Sequence, residues 1–273
     1  MTPALRALRV TLLGTGTSTG VPVLGCRCRV CTSEDPRDRR LRCAAYVVAE
    51  TDGGPVHLVI DTGPDFRRQA LTYGIEHVDA VLFTHHHFDH VVGADDLRPF
   101  LFSPRTPIPC YARPTTAAEL RVILGYIFAD GSYPGVPQLR LRPVVDPFVV
   151  ESRSAFGGCV EVTPIDVHHG DCTIYGYRIG RFAYLTDVSG IPGPSFALLE
   201  DLDVLVLDAL RHRPHPTHFT IEQAVEAAQQ VGARRTFFLH LTHDVLHVEA
   251  EAALPDGIRL GYDGLTLDVA SAP

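Results

Sequence analysis

Short apolar segments rich in β-branched and aromatic residues recur along the chain, and each ends at a polar residue or a glycine. This pattern predicts nine strands, at residues 8–14, 43–50, 56–61, 80–85, 159–169, 175–180, 182–187, 203–209 and 236–241. Helical periodicity replaces it at 63–74, 114–128 and 220–232. The last of these has Thr220 as N-cap, Glu222 in its first turn and Gly232 after its last periodic position. Strands interrupted by occasional helices predict two packed mixed sheets with helices outside.

Five of the predicted strands end in a histidine or an aspartate. These residues are Asp61, His85, His169, Asp187 and His240. Loops at one rim of a sheet are where functional side chains gather. Because imidazole and carboxylate groups are both metal ligands, the pattern predicts a metal site at this rim.

The composition narrows the class of protein. The chain has 273 residues, of which 45% are hydrophobic, and this suits one domain over 1–273 with a sizeable core. A net charge of −8 argues against nucleic acid as a partner. The apolar runs are too short for a membrane helix or a secretion signal, so we expect a cytoplasmic protein with no membrane partner. The basic run RDRRLR at 37–42 predicts a solvated turn, and the alternative is a patch that faces a phosphate or the substrate.

The segment THHHFDH at 84–90 contains four candidate metal ligands, His85, His87, Asp89 and His90. Four ligands within six residues can serve two adjacent ions if the chain turns tightly after the strand. A dinuclear site suits in-line displacement at phosphorus. Further ligands must come from later segments: His168 or His169 in VHHGD, Asp187 in YLTDVSG and His240 in LHLTH.

In this order the segments resemble the metallo-β-lactamase superfamily, whose αββα sandwich carries a dinuclear metal site at its rim. The resemblance extends from LLGTGTSTGVP to GYDGLTLDVA. It implies one ion bound by His85, His87 and His169, a second bound by Asp89, His90 and His240, and Asp187 bridging both. We prefer His169 to His168 because the family's ligand usually precedes a small residue, here Gly170. True β-lactamases of this fold generally have a cysteine ligand and no bridging aspartate, so antibiotic hydrolysis is not predicted.

Asp61 in LVIDTG has two interpretations. The superfamily has an aspartate at this position that orients a histidine ligand, and such a carboxylate fixes the imidazole tautomer. Turn formation with Thr62 and Gly63 accounts for the residue equally well. The sequence leaves both interpretations open.

Three of the seven cysteines lie close together in GCRCRVC, at Cys26, Cys28 and Cys31. An odd number of cysteines in a reducing compartment favours thiols or metal ligands over disulfides. The segments GTGTSTGVPVLGCRCRVC, RRLRC and LHLTHD resemble one branch of the superfamily, the phosphoribosyl cyclic phosphate phosphodiesterases of phosphonate breakdown. This resemblance implies a structural zinc ion bound by Cys26, Cys28, Cys31 and His243, and the alternative is three reduced thiols without metal. The other cysteines, Cys43, Cys110, Cys159 and Cys172, are predicted to be inert core thiols.

The branch implies hydrolysis of a small cyclic phosphodiester, in particular 5-phosphoribosyl 1,2-cyclic phosphate. The attacking group would be a hydroxide that bridges two zinc or manganese ions. His218 aligns with the family's substrate-contacting histidine and is the candidate general acid, whereas His212 and His215 are predicted to be solvated. The run GTGTSTG at 14–20 lacks a nucleotide-loop pattern and predicts a turn that can line the substrate cleft. The family also implies a homodimer.

Other functions of the same fold stay open. An RNA 3′-end or cyclic-nucleotide phosphodiesterase shares the ligands, but an RNA-processing enzyme is expected to carry a basic protruding arm. A thioesterase shares the ligands and lacks the cysteine cluster. A non-hydrolytic accessory protein, resembling the pyrroloquinoline quinone biosynthesis protein, has a similar cysteine cluster. Activity on any simple diester distinguishes a hydrolase from the accessory protein.

Overall fold

The strands form two sheets within residues 4–101, 106–128, 135–154 and 157–270, the parts of the chain that the computed structural model describes. The first sheet contains β1 (Leu5–Gly14), β2 (Ala44–Thr51), β3 (Gly54–Ile60), β4 (Ala80–Leu82), β5 (Ile108–Ala112), β6 (Leu139–Pro143) and β14 (Thr266–Val269). The second contains β7 (Phe148–Glu151), β8 (Cys159–His169), β9 (Cys172–Ile179), β10 (Phe182–Leu185), β11 (Val204–Asp208), β12 (Arg235–Leu239) and β13 (Ile258–Leu260).

The helices connect these strands. They are α1 (Phe66–Thr72), α2 (Phe88–Val91), α3 (Pro114–Ile123), α4 (Gly125–Phe128), α5 (Gly193–Phe196), α6 (Ile221–Val231) and α7 (His247–Ala253). Short 3₁₀ helices span Pro36–Asp38, Val92–Leu101 and Ala197–Leu199. Within the described ranges, no helix is long and apolar enough to cross a membrane.

Each sheet is antiparallel on one side and parallel on the other. The first has the order β14-β1-β2-β3-β4-β5-β6 and is parallel from β3 to β6. The second has the order β13-β12-β11-β10-β9-β8-β7 and is parallel from β10 to β13. In such sheets ligands bind outside the carboxyl ends of the parallel strands, and here the loops after β3, β4, β10, β11 and β12 meet at one rim.

Three apolar layers hold the sheets and helices together. One buried cluster joins Leu12 and Ile60 of the first sheet to Tyr177 and Val206 of the second. A second cluster lies between the first sheet and helices α1 and α3, and a third between the second sheet and helices α6 and α7. Each sheet therefore buries both of its faces, and the predicted architecture of two packed mixed sheets with helices outside is confirmed.

All nine predicted strand segments contain a strand, and all three predicted helical segments contain a helix. Thr220 caps α6 through a capping box with Gln223, and Gly232 ends it in the left-handed conformation with φ of 70°. The segment 114–128 breaks at Leu124, because α3 ends at Ile123 and α4 begins at Gly125. The prediction missed five strands, β5, β6, β7, β13 and β14, and the helices α2, α5 and α7.

The prediction of a solvated turn at 37–42 is wrong for its central residues. Arg40 and Asp38 are each 1% exposed and form an ion pair of 3.0 Å. Arg40 also donates to the carbonyl oxygens of Thr242 and Val245, both at 2.9 Å. A buried guanidinium needs partners for its donors, and these carbonyl groups supply them. The basic run thus fixes the loop that follows β12.

Candidate metal centre

Three strands of the rim end in a residue with a left-handed backbone. Asp61 follows β3 with φ of 60°, Asp187 follows β10 with φ of 60°, and His240 follows β12 with φ of 62°. This conformation costs free energy for any residue with a Cβ atom, although aspartate and histidine adopt it more often than most. Such conformations concentrate at functional sites. Here they aim buried side chains from both sheets at one point.

The first group of candidate ligands is His85, His87 and His169, whose nitrogen atoms lie within 4.8 Å of one another. The structure brings His169 into this group and leaves His168 exposed. The carbonyl oxygens of Asp187 and Thr217 both lie 2.9 Å from His169 Nδ1. This nitrogen therefore carries the proton, and the lone pair of Nε2 is available to a metal ion.

The second group is Asp89, His90 and His240, with the same spacing limit of 4.8 Å. Asp187 lies between the two groups. Its carboxylate oxygens are 3.2 Å from His90 Nε2, 3.3 Å from His240 Nε2 and 3.9 Å from His85 Nε2. Asp187 is thus the residue whose two oxygens can serve two ions.

The buried nitrogen atoms at this point match a metal site. Nε2 of His85, of His90 and of His240 are each buried, and none has a hydrogen-bond partner among the described residues. Unpartnered buried polar atoms are costly, and divalent cations would satisfy them. Burial lowers the pKa of His85 well below its usual value, whereas the carboxylates of Asp187 and Asp61 raise the pKa of His90. A bound divalent cation would take the place of the proton on His90.

Asp61 is hydrogen-bonded to one of the candidate ligands. Its Oδ2 accepts a hydrogen bond from His90 Nδ1 at 2.8 Å, and both carboxylate oxygens accept from Thr84. Asp61 therefore fixes the tautomer of His90 with Nε2 directed at Asp187 and Asp89. Gly63 has a steric role, because a Cβ atom at this position would lie only 2.0 Å from the carbonyl oxygen of Asp89. Glycine therefore allows the turn after Asp61 to pack closely against Asp89.

His218 lies at the edge of the same cluster and is 8% exposed. Its Nε2 is 4.0 Å from Asp187 Oδ1, and its Nδ1 is 3.2 Å from Asp208 Oδ1. Asp208 is fully buried and also lies 3.5 Å from His240 Nδ1. Sequence reasoning missed Asp208, although it ends β11 in the same way that the other site residues end their strands.

The remaining histidines of that loop differ from each other. His212 is exposed and pairs with Glu222 at 2.7 Å, as predicted for a solvated residue. His215 is half-buried, and its ring packs 5.1 Å from that of His218. The prediction of a solvated His215 is therefore wrong, because the residue lines a cleft beside His218.

A separate group joins the three clustered cysteines to His243. The Sγ atoms of Cys26, Cys28 and Cys31 lie 3.3, 3.6 and 3.5 Å from His243 Nδ1. Tetrahedral zinc with ordinary Zn–S and Zn–N bonds separates sulfur and nitrogen ligands by ~3.5 Å. A backbone hydrogen bond from Cys31 lowers the pKa of Cys28 to about 7, whereas burial raises the pKa of Cys31 to about 11. Cys28 is therefore the thiol of the cluster that most readily becomes a thiolate.

The other cysteines only partly match their prediction. Cys43 and Cys110 are buried in the core, and burial raises the pKa of both thiols. Cys159 is half-buried at the start of β8, and Cys172 is exposed at the start of β9. Placement at a strand end leaves a residue outside the packed layers, so these two are not core thiols.

Comparison with known proteins identifies the family. Residues 57–241 match the model of the beta-lactamase superfamily domain. The chain is 44% identical to a protein described as a new diphosphatase from the PhnP family, with a TM-score of 0.85 over 97% of this chain and 98% of the other. It also superimposes on zinc-bound PqqB from Methylobacterium extorquens with a TM-score of 0.71 at 21% identity, covering 95% of this chain and 99% of that one.

A longer relative carries a different name. Over 94% of its length the chain is 43% identical to the octanoyltransferase of Porphyromonas gingivalis. It spans only 51% of that protein, so about half of the relative has no counterpart here. The family model, the fold and the rim of histidines and aspartates agree with one another, and the chain belongs to the metallo-β-lactamase superfamily.

Proposed function

We propose that this protein is a metal-dependent phosphodiesterase that hydrolyses a small cyclic phosphodiester such as 5-phosphoribosyl 1,2-cyclic phosphate. The observation that carries the proposal is the position of Asp187, whose carboxylate lies within 4.0 Å of His85, His90, His240 and His218. This arrangement puts two candidate metal positions and a histidine that can transfer a proton around one point. The family implies divalent metal ions, and we propose zinc or manganese.

The residues divide into two ligand sets. His85, His87 and His169 would hold one ion, Asp89, His90 and His240 the other, and Asp187 would contact both. When bound, the ions would supply Lewis acidity toward the phosphoryl oxygens and lower the pKa of water. Asp61, whose carboxylate accepts a hydrogen bond from Thr84, holds the imidazole of His90 in one orientation. The backbone carbonyls of Asp187 and Thr217 do the same for His169.

His218 is suited to donate a proton to the leaving oxygen. Its Nδ1 faces the buried carboxylate of Asp208, so the proton that it can transfer sits on Nε2, the nitrogen nearest Asp187. Asp208 also accepts a hydrogen bond from the backbone amide of Phe219, which fixes the carboxylate. A carboxylate in this position holds the imidazole in one orientation.

The relatives support chemistry at phosphorus and suggest a second candidate. A protein that is 44% identical over nearly its whole length is described as a diphosphatase. Hydrolysis of a diphosphate uses the same attack at phosphorus, and only the leaving group differs. The octanoyltransferase name belongs to a protein twice as long, and octanoyl transfer is therefore an outcome to test.

A substrate panel tests the proposal. Protein loaded with zinc or with manganese should open 5-phosphoribosyl 1,2-cyclic phosphate and lose this activity when the metal is chelated. Faster cleavage of a nucleoside diphosphate than of cyclic diesters would favour the diphosphatase. Octanoyl transfer without cleavage of any phosphoric ester or anhydride would overturn the proposal.

We further propose that Cys26, Cys28, Cys31 and His243 bind a structural zinc ion. The site joins the loop before β2 to the loop after β12, which carries His240 three residues before His243. A zinc site with four protein ligands has no open position for substrate and contributes directly to folding stability. The purified protein should therefore contain about three metal ions per chain, of which one resists mild chelation.

Replacing Cys28 with serine tests this ion. Metal analysis should show about one zinc ion fewer per chain, and the melting temperature should fall because metal-binding free energy is lost. Cys172→Ser is the control, since Cys172 is exposed and lies outside the cluster. An unchanged metal content in Cys28→Ser would refute the structural site.

Replacing Asp61 with asparagine tests the support of His90. The amide can donate where the carboxylate accepts, so His90 loses the partner that fixes its tautomer. We expect the affinity for the more weakly held ion to fall about 10- to 100-fold. Competition with a metal-binding dye measures this affinity. An unchanged affinity in the folded variant would show that Asp61 only shapes the turn.

A further inference from the structure

A cleft of about 290 Å³ opens beside His218. Its walls come from three loops, around residues 17–19 after β1, 210–218 after β11 and 242–244 after β12. His218 belongs both to this cleft and to the histidine–aspartate cluster, because its Nε2 is 4.0 Å from Asp187. A molecule that reacts at the cluster can therefore extend into the cleft.

The charges of the cleft favour an anion. The guanidinium groups of Arg211 and Arg213 line it, and Asp244 is the one carboxylate among its described lining residues. Asp244 Oδ2 lies 2.9 Å from Arg213 Nη2 and 3.8 Å from Arg211 Nη1. One carboxylate thus faces two permanent cations and leaves a positive charge uncompensated. In a chain of net charge −8, this local excess would attract a negatively charged ligand.

Of the two arginines, Arg211 is better placed to bind an anion in the cleft. Its side chain is 26% exposed, against 73% for Arg213, so the wall of the cleft holds it in place. Within the described residues, the one hydrogen bond of its side chain runs from Nε to the carbonyl oxygen of Arg213 at 3.3 Å. Its Nη1 lies 3.8 Å from Asp244, so the Nη groups have no hydrogen-bond acceptor there and can donate to a ligand. Ser18 and Thr19 add hydroxyl groups from another wall. Guanidinium and hydroxyl donors together suit phosphate oxygens.

We infer that this cleft binds a second phosphate group of the substrate, one that is not hydrolysed. The inference rests on the proposed function, because it takes the reacting phosphoryl group to lie at the cluster. The substrate class is then a small molecule with two phosphoryl groups. A phosphomonoester on a sugar and the distal phosphate of a nucleotide offer the same chemistry, so the test includes both.

The test compares substrates with and without the second phosphate. The sugar pair is 5-phosphoribosyl 1,2-cyclic phosphate and ribose 1,2-cyclic phosphate, and the nucleotide pair is 2′,3′-cyclic AMP with and without a 5′-phosphate. Wild-type protein should prefer the phosphorylated member of at least one pair in kcat/KM. In Arg211→Met this preference should shrink about 10- to 100-fold, mainly through KM, because charged hydrogen bonds are lost.

A matched control and a second variant distinguish loss of phosphate binding from a general effect of the substitution. Arg181 is 22% exposed and pairs with Asp201 at the opposite end of β10, so Arg181→Met should keep the wild-type preference. Ser18 is exposed, and Ser18→Ala should reduce the preference without a packing change. A preference that is unchanged in both Arg211→Met and Ser18→Ala, or absent from the wild type, would overturn the inference.

Binding without turnover separates this inference from the proposed function. Ribose 5-phosphate is the probe, and its phosphorus resonance is followed during titration with metal-loaded protein. If no diester is hydrolysed, the proposed function fails. Weaker binding of the probe to Arg211→Met than to Arg181→Met would still support the second phosphate site, and equal binding would refute it.

Discussion

Replacing Asp187 with asparagine is expected to lower kcat/KM for a phosphodiester by at least ~10³-fold, because one residue contacts both candidate metal positions. Asparagine keeps the size of the side chain and tolerates the left-handed backbone at φ of 60°. It removes the negative charge that faces His85, His90 and His240. Metal analysis should show fewer than two ions in the rim site, and steady-state kinetics at saturating metal should not restore activity.

Asp201→Asn is the matched control for this variant. Asp201 also has a left-handed backbone, with φ of 55°, but it is exposed and pairs with Arg181 away from the rim. The control should keep wild-type kinetics and metal content. If Asp187→Asn retains two rim ions and its kcat/KM falls less than ~10-fold, Asp187 is not a ligand shared by the two ions. Loss of a shared ligand should lower kcat/KM by more than this.

Replacing His218 with alanine is expected to lower turnover of a cyclic diester at least ~10²-fold with metal content unchanged. The loss should depend on the leaving group. An alkoxide needs a proton as it departs, whereas 4-nitrophenolate leaves as an anion, so the variant should retain much more activity on bis(4-nitrophenyl) phosphate. A residue that only packed the loop would not produce this dependence. His212→Ala is the control, because His212 is exposed in the same loop and pairs with Glu222.

Equal losses on both leaving groups would contradict the assignment of His218 as general acid. Near-normal turnover of the cyclic diester would exclude it altogether. The same two substrates can be used to test Asp208→Asn. Asp208 contacts the imidazoles of His218 and His240, so we expect its effect on turnover to be exerted through them.

The sequence predicts that these histidines and aspartates lie together because several of them are adjacent along the chain. His85, His87, Asp89 and His90 lie within six residues after a strand. Few structures other than a metal site account for four potential ligands at this spacing. The later ligands were found by position, at strand ends in the expected order. The choice between His168 and His169 rested on one glycine, and the alternating exposure along β8 brings His169 into the cluster and leaves His168 at the surface.

Residues that act through long-range contacts were harder to predict. Arg40 reads as part of a basic surface run, and its burial becomes visible only when the loop after β12 closes over it. Asp208 ends β11 as the other site residues end their strands, but it has no neighbouring histidine or aspartate to separate it from a turn residue. The strands β5 and β6 were missed because proline and arginine interrupt their apolar pattern, as in IPCYA and LRLRP.

The most direct test of the central claim is phosphorus NMR of the metal-loaded protein with 5-phosphoribosyl 1,2-cyclic phosphate in water half-enriched in ¹⁸O. Attack of water at phosphorus predicts that the ring opens and that the new phosphomonoester resonance splits, since half of the product carries one ¹⁸O atom on phosphorus. Chelation of the metal should abolish the reaction. Failure to open the ring or to cleave any phosphodiester or diphosphate, with both rim ions present, would contradict the account.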